Sequence, residues 1–353
     1  MLKKVISILM IISILVLNSG YSEALVTSIS EIKGSNRYET AAKIADKMNY
    51  TNAILVNADN SLSDGLSSSG LAGAINAPIL LTKKDSLPNP TLKKIDKAKN
   101  IYIIGGVNAI SLNIEKNLKS KGKNIIRISG KTRIETSYNV AKEINKFNPV
   151  KKVMLVNGFK GEADAMSIAS VAVRDKSPII LTNGSDLPFN LKHIESYVIG
   201  GSSIMNDKLV STTNSIRIGG LNRFDTNKNI INKFYPNTKD FYLSKAYNLV
   251  DALTASTIAK YAPIVLVSDG SNKSILNKAT SLTALGGIDS VTLRQCIDEA
   301  NGLNDIVYVT TNGKSYHSTK DCTALKRSKK IISLKLSDAK KQGKSDPCNL
   351  CVK

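Results

Sequence analysis

Ile32-Lys33-Gly34-Ser35-Asn36-Arg37-Tyr38-Glu39-Thr40 is the stretch on which the fold turns, because the chain repeats it twice. It returns as Ile128-Ser129-Gly130-Lys131-Thr132-Arg133-Ile134-Glu135-Thr136 and as Ile218-Gly219-Gly220-Leu221-Asn222-Arg223-Phe224-Asp225-Thr226. The arginines stand 96 and then 90 residues apart, a period that marks a tandem array. Each opening runs into apolar residues at helical spacing, such as Ala41, Ala42, Ile44, Ala45 and Met48.

The later landmarks keep one order in all three copies. A buried-strand run (Ala53-Ile54-Leu55-Val56, Val153-Met154-Leu155-Val156, Phe241-Tyr242-Leu243) precedes a carboxylate that opens a small-residue helix at Asp64, Asp164 and Asp251. A Pro-led apolar strand follows: Pro78-Ile79-Leu80-Leu81, Pro178-Ile179-Ile180-Leu181 and Pro263-Ile264-Val265-Leu266. Last comes a strand ending in a double glycine at Gly105-Gly106, Gly200-Gly201 and Gly286-Gly287. Short apolar strands alternating with helices of ten or more residues predict an α/β fold, with a largely parallel sheet in each copy. The double glycines fit a tight turn with φ > 0 or a close backbone approach, or else a phosphate cradle; the longer glycine spacing of a dinucleotide site is absent.

Composition bounds the partners. The chain has 353 residues, 49 Lys and Arg against 28 Asp and Glu, and a formal charge of +21, which predicts attraction to polyanions. Lys3 and Lys4 precede the apolar run Val5–Leu17, and Ser22-Glu23-Ala24 offers small residues for cleavage, so residues 1–24 read as a secretory signal. The run is shorter than the ~20 residues a membrane span needs; a retained anchor is the other reading, and no span is expected in the mature chain. An exported polycation meets anionic wall polymers rather than nucleic acid. Trp is absent and aromatics are 5%, against a lectin that stacks neutral sugars.

With these landmarks the chain resembles the type-two clostridial cell-wall-binding repeat, three copies in a row over roughly residues 28 to 297. The resemblance implies a Toprim-like α/β sandwich for each copy and a pseudo-threefold arrangement within one chain. It also implies non-covalent attachment to an anionic cell-wall polysaccharide, alongside or beneath surface-layer proteins, at the surface of a Gram-positive bacterium. In that family the apolar triplet after the Pro is associated with anchoring. Ile79, Leu80 and Leu81 match it in full; Ile179, Ile180, Leu181 and Ile264, Val265, Leu266 match conservatively, and Val267 replaces the Thr82 and Thr182 of the other copies. Arg37, Arg133 and Arg223 either touch polymer or clamp a loop through Asp64, Asp164 or Asp251. The expected organisation is 1–24 signal, copies at 25–123, 124–212 and 213–301, and a small α+β domain at 302–353.

That tail carries eleven Lys or Arg against four Asp. His317-x4-Cys322 and Cys348-x2-Cys351 can close a Cys3His site for one structural zinc ion, a staple that a fifty-residue domain needs. The oxidising exterior allows disulfides instead, Cys322 with Cys348 or Cys351 and Cys296 with the thiol left over. The tail resembles short His/Cys modules appended to secreted bacterial proteins, some of them nucleases. His193 has no partner motif. No Ser-His-Asp, paired-carboxylate or Cys-His set assembles, so no catalytic residue is assigned. The competing expectation is a wall-associated hydrolase or nuclease targeted by the repeats, or metal chemistry at the three aspartates; the absence of Asp-x-Asp in the repeats counts against the latter.

Overall fold

The computed structural model of the chain describes residues 25–352 apart from residues 27, 60, 61, 63, 192 and 193; the signal reading and His193 fall outside the described residues. The first strand, β1 (Ser30–Ile32), waits for a partner from the far end of the repeats. Next come β2 (Asn52–Asn57), β3 (Ile79–Thr82), β4 (Asn100–Ile104) and β5 (Asn124–Ile128), which form one parallel sheet in the order β3-β2-β4-β5. The second copy repeats the pattern with β6 (Lys152–Asn157), β7 (Ile179–Thr182), β8 (Glu195–Ile199) and β9 (Ile216–Ile218), ordered β7-β6-β8-β9. The third has β10 (Asp240–Lys245), β11 (Ile264–Val267) and β12 (Ser281–Leu285), and its fourth strand is β1.

Each sheet therefore borrows its last strand from the opening of another copy. β5 and β9, which head the second and third sequence copies, complete the first and second sheets, and β1 completes the third. The structural units are offset from the sequence repeats by one strand, and the third copy closes onto the first.

Strand alternation divides the core. In β2, Ile54 and Val56 face a core shared by all three copies, whereas Leu55 faces an outer cluster with Leu80, Ile95, Ile101, Ile103 and Leu118. The shared core is built on the helices Ser68–Ile75, Glu162–Asp175 and Val250–Ala255; residues 163–173 of the second are all buried. Small residues bring these helices to backbone contact. A Cβ added at Gly73 would lie 2.0 Å from the Val173 carbonyl oxygen, and one at Gly70 would lie 2.2 Å from that of Ser177. Ser69 and Ser256 meet hydroxyl to hydroxyl at 3.2 Å.

Several helices are shorter than the sequence pattern predicts. Ser68–Ile75 has eight residues and Val250–Ala255 six. The former ends where Asn76 adopts left-handed φ 49, a stop that Asn tolerates better than most residues. Among the described residues, no helix is long and apolar enough to cross a membrane.

The tail forms a separate mixed sheet, β15-β13-β14-β16, from β13 (Ile306–Thr310), β14 (Ser315–His317), β15 (Ile331–Lys335) and β16 (Asp346–Pro347), with the helix Leu336–Lys341 beside it. Val307, Val309 and Ala339 make its small core.

Candidate functional site

The nine-residue motif is a helix start. Asn36, Thr132 and Asn222 are N-caps whose side chains accept from Glu39 N at 3.0 Å, Glu135 N at 3.2 Å and Asp225 N at 3.1 Å. Glu39 and Glu135 reach back to accept from the N–H groups of Ser35 and Lys131, both at 2.8 Å, a variant of the capping box. The closing threonines accept from the motif glycines: Thr40 from Gly34 and Thr136 from Gly130 at 3.0 Å, Thr226 from Gly220 at 3.1 Å.

This start aims the arginine. Arg37 Nη1 donates to the Ala58 carbonyl at 2.5 Å, Arg133 Nη1 to Gly158 at 2.7 Å and Arg223 Nη1 to Ala246 at 2.6 Å. All three acceptors follow directly on the copy's first central strand, so the arginine does clamp a loop, but through a carbonyl. Its carboxylate neighbour belongs to the preceding copy. Asp64 faces Thr136 and Arg133, Asp164 faces Thr226 and Arg223, and Asp251 faces Lys245 of its own copy and Arg37 of the first.

Three homologous junctions result, each at the carboxyl ends of parallel strands where the strand order reverses, the usual place for ligands in open α/β sheets. The junction of copies one and two encloses a cleft of about 590 Å3 between Asp64, Gly106 and Asn108 on one side and Gly130, Lys131 and Arg133 on the other. The closing junction of copies three and one encloses about 600 Å3. At the remaining junction the backbones approach so closely that a Cβ at Gly219 would lie 2.4 Å from the Gly200 carbonyl oxygen.

The aspartates pack on the first glycine of each double glycine. Gly105, Gly200 and Gly286 have φ +112, +123 and +66, and an added Cβ would lie 2.7, 2.8 and 2.1 Å from the respective carboxylate oxygens. Both reasons for glycine therefore apply here. Burial pushes the Asp164 carboxyl up to about 6, although the Thr226 hydroxyl and Arg223 pull the other way. Burial also raises Asp64 and Asp251 above the usual carboxylate range. Exposed aromatics cover two of the arginines: Arg133 lies 4.9 Å from the Phe159 ring centroid and Arg223 4.4 Å from that of Tyr247.

The apolar triplets lie elsewhere. Ile79, Leu80, Leu81, Ile179, Ile180, Leu181, Ile264, Val265 and Leu266 are all 3% exposed or less. Leu81 packs with Val250 of the third copy, a contact between copies. The pairing of Asp64 and Asp164 with threonines of the next copy has no signal within one copy; only the shared recurrence of Asp and Thr landmarks hints at it.

In the tail, His317, Cys322, Cys348 and Cys351 offer ligand atoms all within 4.8 Å of one another, and the cysteines are free thiols. Cys322 Sγ is 3.8 Å from Cys348 Sγ, and Cys351 Sγ is 3.6 Å from His317 Nδ1. A tetrahedral ion with bonds of about 2.3 Å to sulfur and 2.0–2.1 Å to nitrogen has edges of about 3.8 and 3.6 Å, so the donor set fits zinc. Burial lowers the His317 pKa, which favours the neutral ring that a metal ion requires. Cys296 sits in the shared core of the repeats, apart from this group.

Three copies of one α/β unit, joined by shared strands and homologous junctions, define a tandem-repeat module. The chain belongs to the cell wall binding domain 2 family, which matches residues 31–115, 127–210 and 217–294. It is 32% identical over 260 residues to the N-acetylmuramoyl-L-alanine amidase LytC of Bacillus subtilis (strain 168), covering 70% of this chain and 51% of that protein. Among solved structures it resembles Cwp6 from Clostridium difficile (TM-score 0.70, 26% identity, 80% of this chain and 50% of that one). It also resembles Cwp8 from Clostridium difficile (TM-score 0.68, 32% identity, 78% and 52%). The chain spans about half the length of these relatives.

Proposed function

We propose that the three repeats hold this protein non-covalently to an anionic secondary polymer of the Gram-positive cell wall, and that the tail is an effector or interaction domain. The observation that carries the reading is the recurrence of one inter-copy junction three times, in a chain of the cell wall binding domain 2 family with a formal charge of +21. Weak contacts at several junctions along one repeating polymer sum to a durable attachment. In this reading the copies are Toprim-like sandwiches around a pseudo-threefold axis, exported by the segment 1–24 and lying beside surface-layer proteins. The buried triplets act by setting how the copies pack, since polymer has no path to them. Arg37, Arg133 and Arg223 hold the cleft walls.

The tail is stapled by one zinc ion held by His317, Cys322, Cys348 and Cys351. With four protein ligands it has no open position, so its role is structural. The protein itself is non-enzymatic and binds wall polymer in preference to nucleic acid. The test is a pull-down of residues 25–300 with purified Gram-positive walls before and after acid stripping of secondary polymers. Retention on intact walls and loss on stripped ones is the expected result; equal retention on both defeats the reading.

A further inference from the structure

The junctions are homologous but their charge is not evenly shared. The last residue of the first central strand is Asn57 in copy one and Asn157 in copy two, in register with Thr82 and Thr182; in copy three it is Lys245, in register with Val267. The asparagines pin loops. Asn57 Nδ2 donates to the Ala109 carbonyl at 2.6 Å while its Oδ1 accepts from Asp59 N at 2.9 Å. Asn157 does the same with the Ile204 carbonyl at 2.8 Å and Phe159 N at 2.9 Å. A lysine has no acceptor and cannot make this double bridge. What Lys245 supplies is a cation beside the cleft where copy three meets copy one.

Two more lysines enter the same cleft at positions that are neutral in the other copies. Lys33 follows β1, where Ser129 follows β5 and Gly219 follows β9; its Nζ reaches over Gly287, 3.8 Å from where a Cβ would stand. Lys83 follows β3, where Asn183 follows β7 and Ser268 follows β11. Lys33, Lys83 and Lys245 all line the closing cleft, and among the described residues none of them forms an ion pair. Of the two carboxylates there, Asp59 accepts from the Tyr38 hydroxyl, and Asp251 is buried against Gly286, where it faces Lys245 and Arg37 without an ion pair to either.

We propose that the closing cleft is a dedicated phosphate site, in which Lys33, Lys83 and Lys245 grip the phosphodiester of a wall polymer, and that the other junctions are not equivalent to it. The inference rests on the wall-binding reading and deepens it. Lysine binds phosphate as a point charge, whereas planar carboxylates are matched by the arginine fork, and Arg37 is already committed to the Ala58 carbonyl. Lys33, Lys83, Lys245 and Arg37 outnumber Asp59 and Asp251 around this 600 Å3 cleft, and a phosphate relieves that excess of like charge.

The test gives each lysine the residue that copy two carries: Lys33→Ser, Lys83→Asn and Lys245→Asn together in the full chain. Lys33→Gln with Lys83→Gln is the second variant, since those side chains make no hydrogen bond that holds the fold. Lys116→Gln, Lys121→Gln and Lys233→Gln form the remote control with the same charge loss. Binding to intact walls is followed across a salt series, and inorganic tripolyphosphate and citrate are titrated calorimetrically. The triple variant is expected to lose on the order of tenfold in wall affinity at physiological salt, while the control loses little. Its log K against log salt slope should be shallower by about two units, at roughly 0.7 per cation removed. Wild type should bind tripolyphosphate over citrate, and both cleft variants should lose that binding. Equal losses in the control, equal binding of citrate, or tripolyphosphate binding unchanged in the variants overturns the proposal. Tripolyphosphate binding confined to this cleft, without wall retention, sustains the site and sinks the wall reading alone.

Discussion

Replacing Asp164 by Asn should make the protein more stable at neutral pH and leave acid stability nearly unchanged. Asp164 is 6% exposed, and its carboxyl is pushed by burial from an ordinary 3.8 up to about 6, so the folded state binds its proton more readily than the unfolded chain. For a raised carboxyl the contribution to stability is fully present below the unfolded pKa and is lost as pH rises through the folded one. A shift of about two units at about 1.4 kcal/mol per unit amounts to about 3 kcal/mol, nearly all of it lost between pH 4 and 7.5. An amide keeps the shape and still meets the Thr226 hydroxyl without carrying the buried charge. Urea unfolding at half-unit pH steps should show wild type losing about 2 to 3 kcal/mol more than Asp164→Asn over that window. Asp64 and Asp251 titrate alike in both proteins and cancel from the difference. Parallel stability curves would refute the reasoning, because they would mean that burial does not hold this carboxyl's proton.

Gly73→Ala places a methyl 2.0 Å from the Val173 carbonyl oxygen, so the contact between copies must open; a loss of about 1–3 kcal/mol is expected in the same unfolding assay. Within the double glycine of copy one, Gly105→Ala forces φ +112 and a clash with Asp64, costing about 1–3 kcal/mol, whereas Gly106→Ala meets nothing within 4 Å and should stay within about 0.5 kcal/mol. Native mass spectrometry should find one zinc per chain, removed by chelator or by Cys348→Ser, with the tail then losing its protection from proteolysis. A metal-free tail with paired disulfides would count against it.

Much of this architecture was written in the repeats. Pattern and order alone mark the apolar strands as parallel and buried, the carboxylates as helix openings and the double glycines as special backbone. Spacing alone singles out His317, Cys322, Cys348 and Cys351, whose donor atoms lie within 4.8 Å of one another. What the sequence hides is partnership across copies. Nothing in Asn124–Ile128 says that it pairs with β4 of the sheet before it, because an edge strand of alternating residues fits either neighbour. The Arg37 acceptor is the carbonyl of Ala58, and a backbone oxygen leaves no side-chain signature. In sequence Lys245 is one cation among many; only its strand position, equivalent to Asn57 and Asn157, marks it as a substitution for a loop-pinning residue.

The one-strand offset has a consequence for binding. Each junction takes its aspartate and double glycine from one copy and its arginine and threonine from the next, so an isolated copy carries two unmatched halves. Two of the junctions are completed by copies adjacent in sequence. The closing one is completed only when β1 pairs with β12, bringing residues 30–40 to residues 245–287 across the whole length of the repeats. The cleft lined by Lys33, Lys83 and Lys245 is thus the one that exists only in the fully assembled chain. If this cleft holds the polyanion as proposed, strong grip is tied to completed folding, and the unfinished chain presents its cations separately, where each is worth little against a screened polymer.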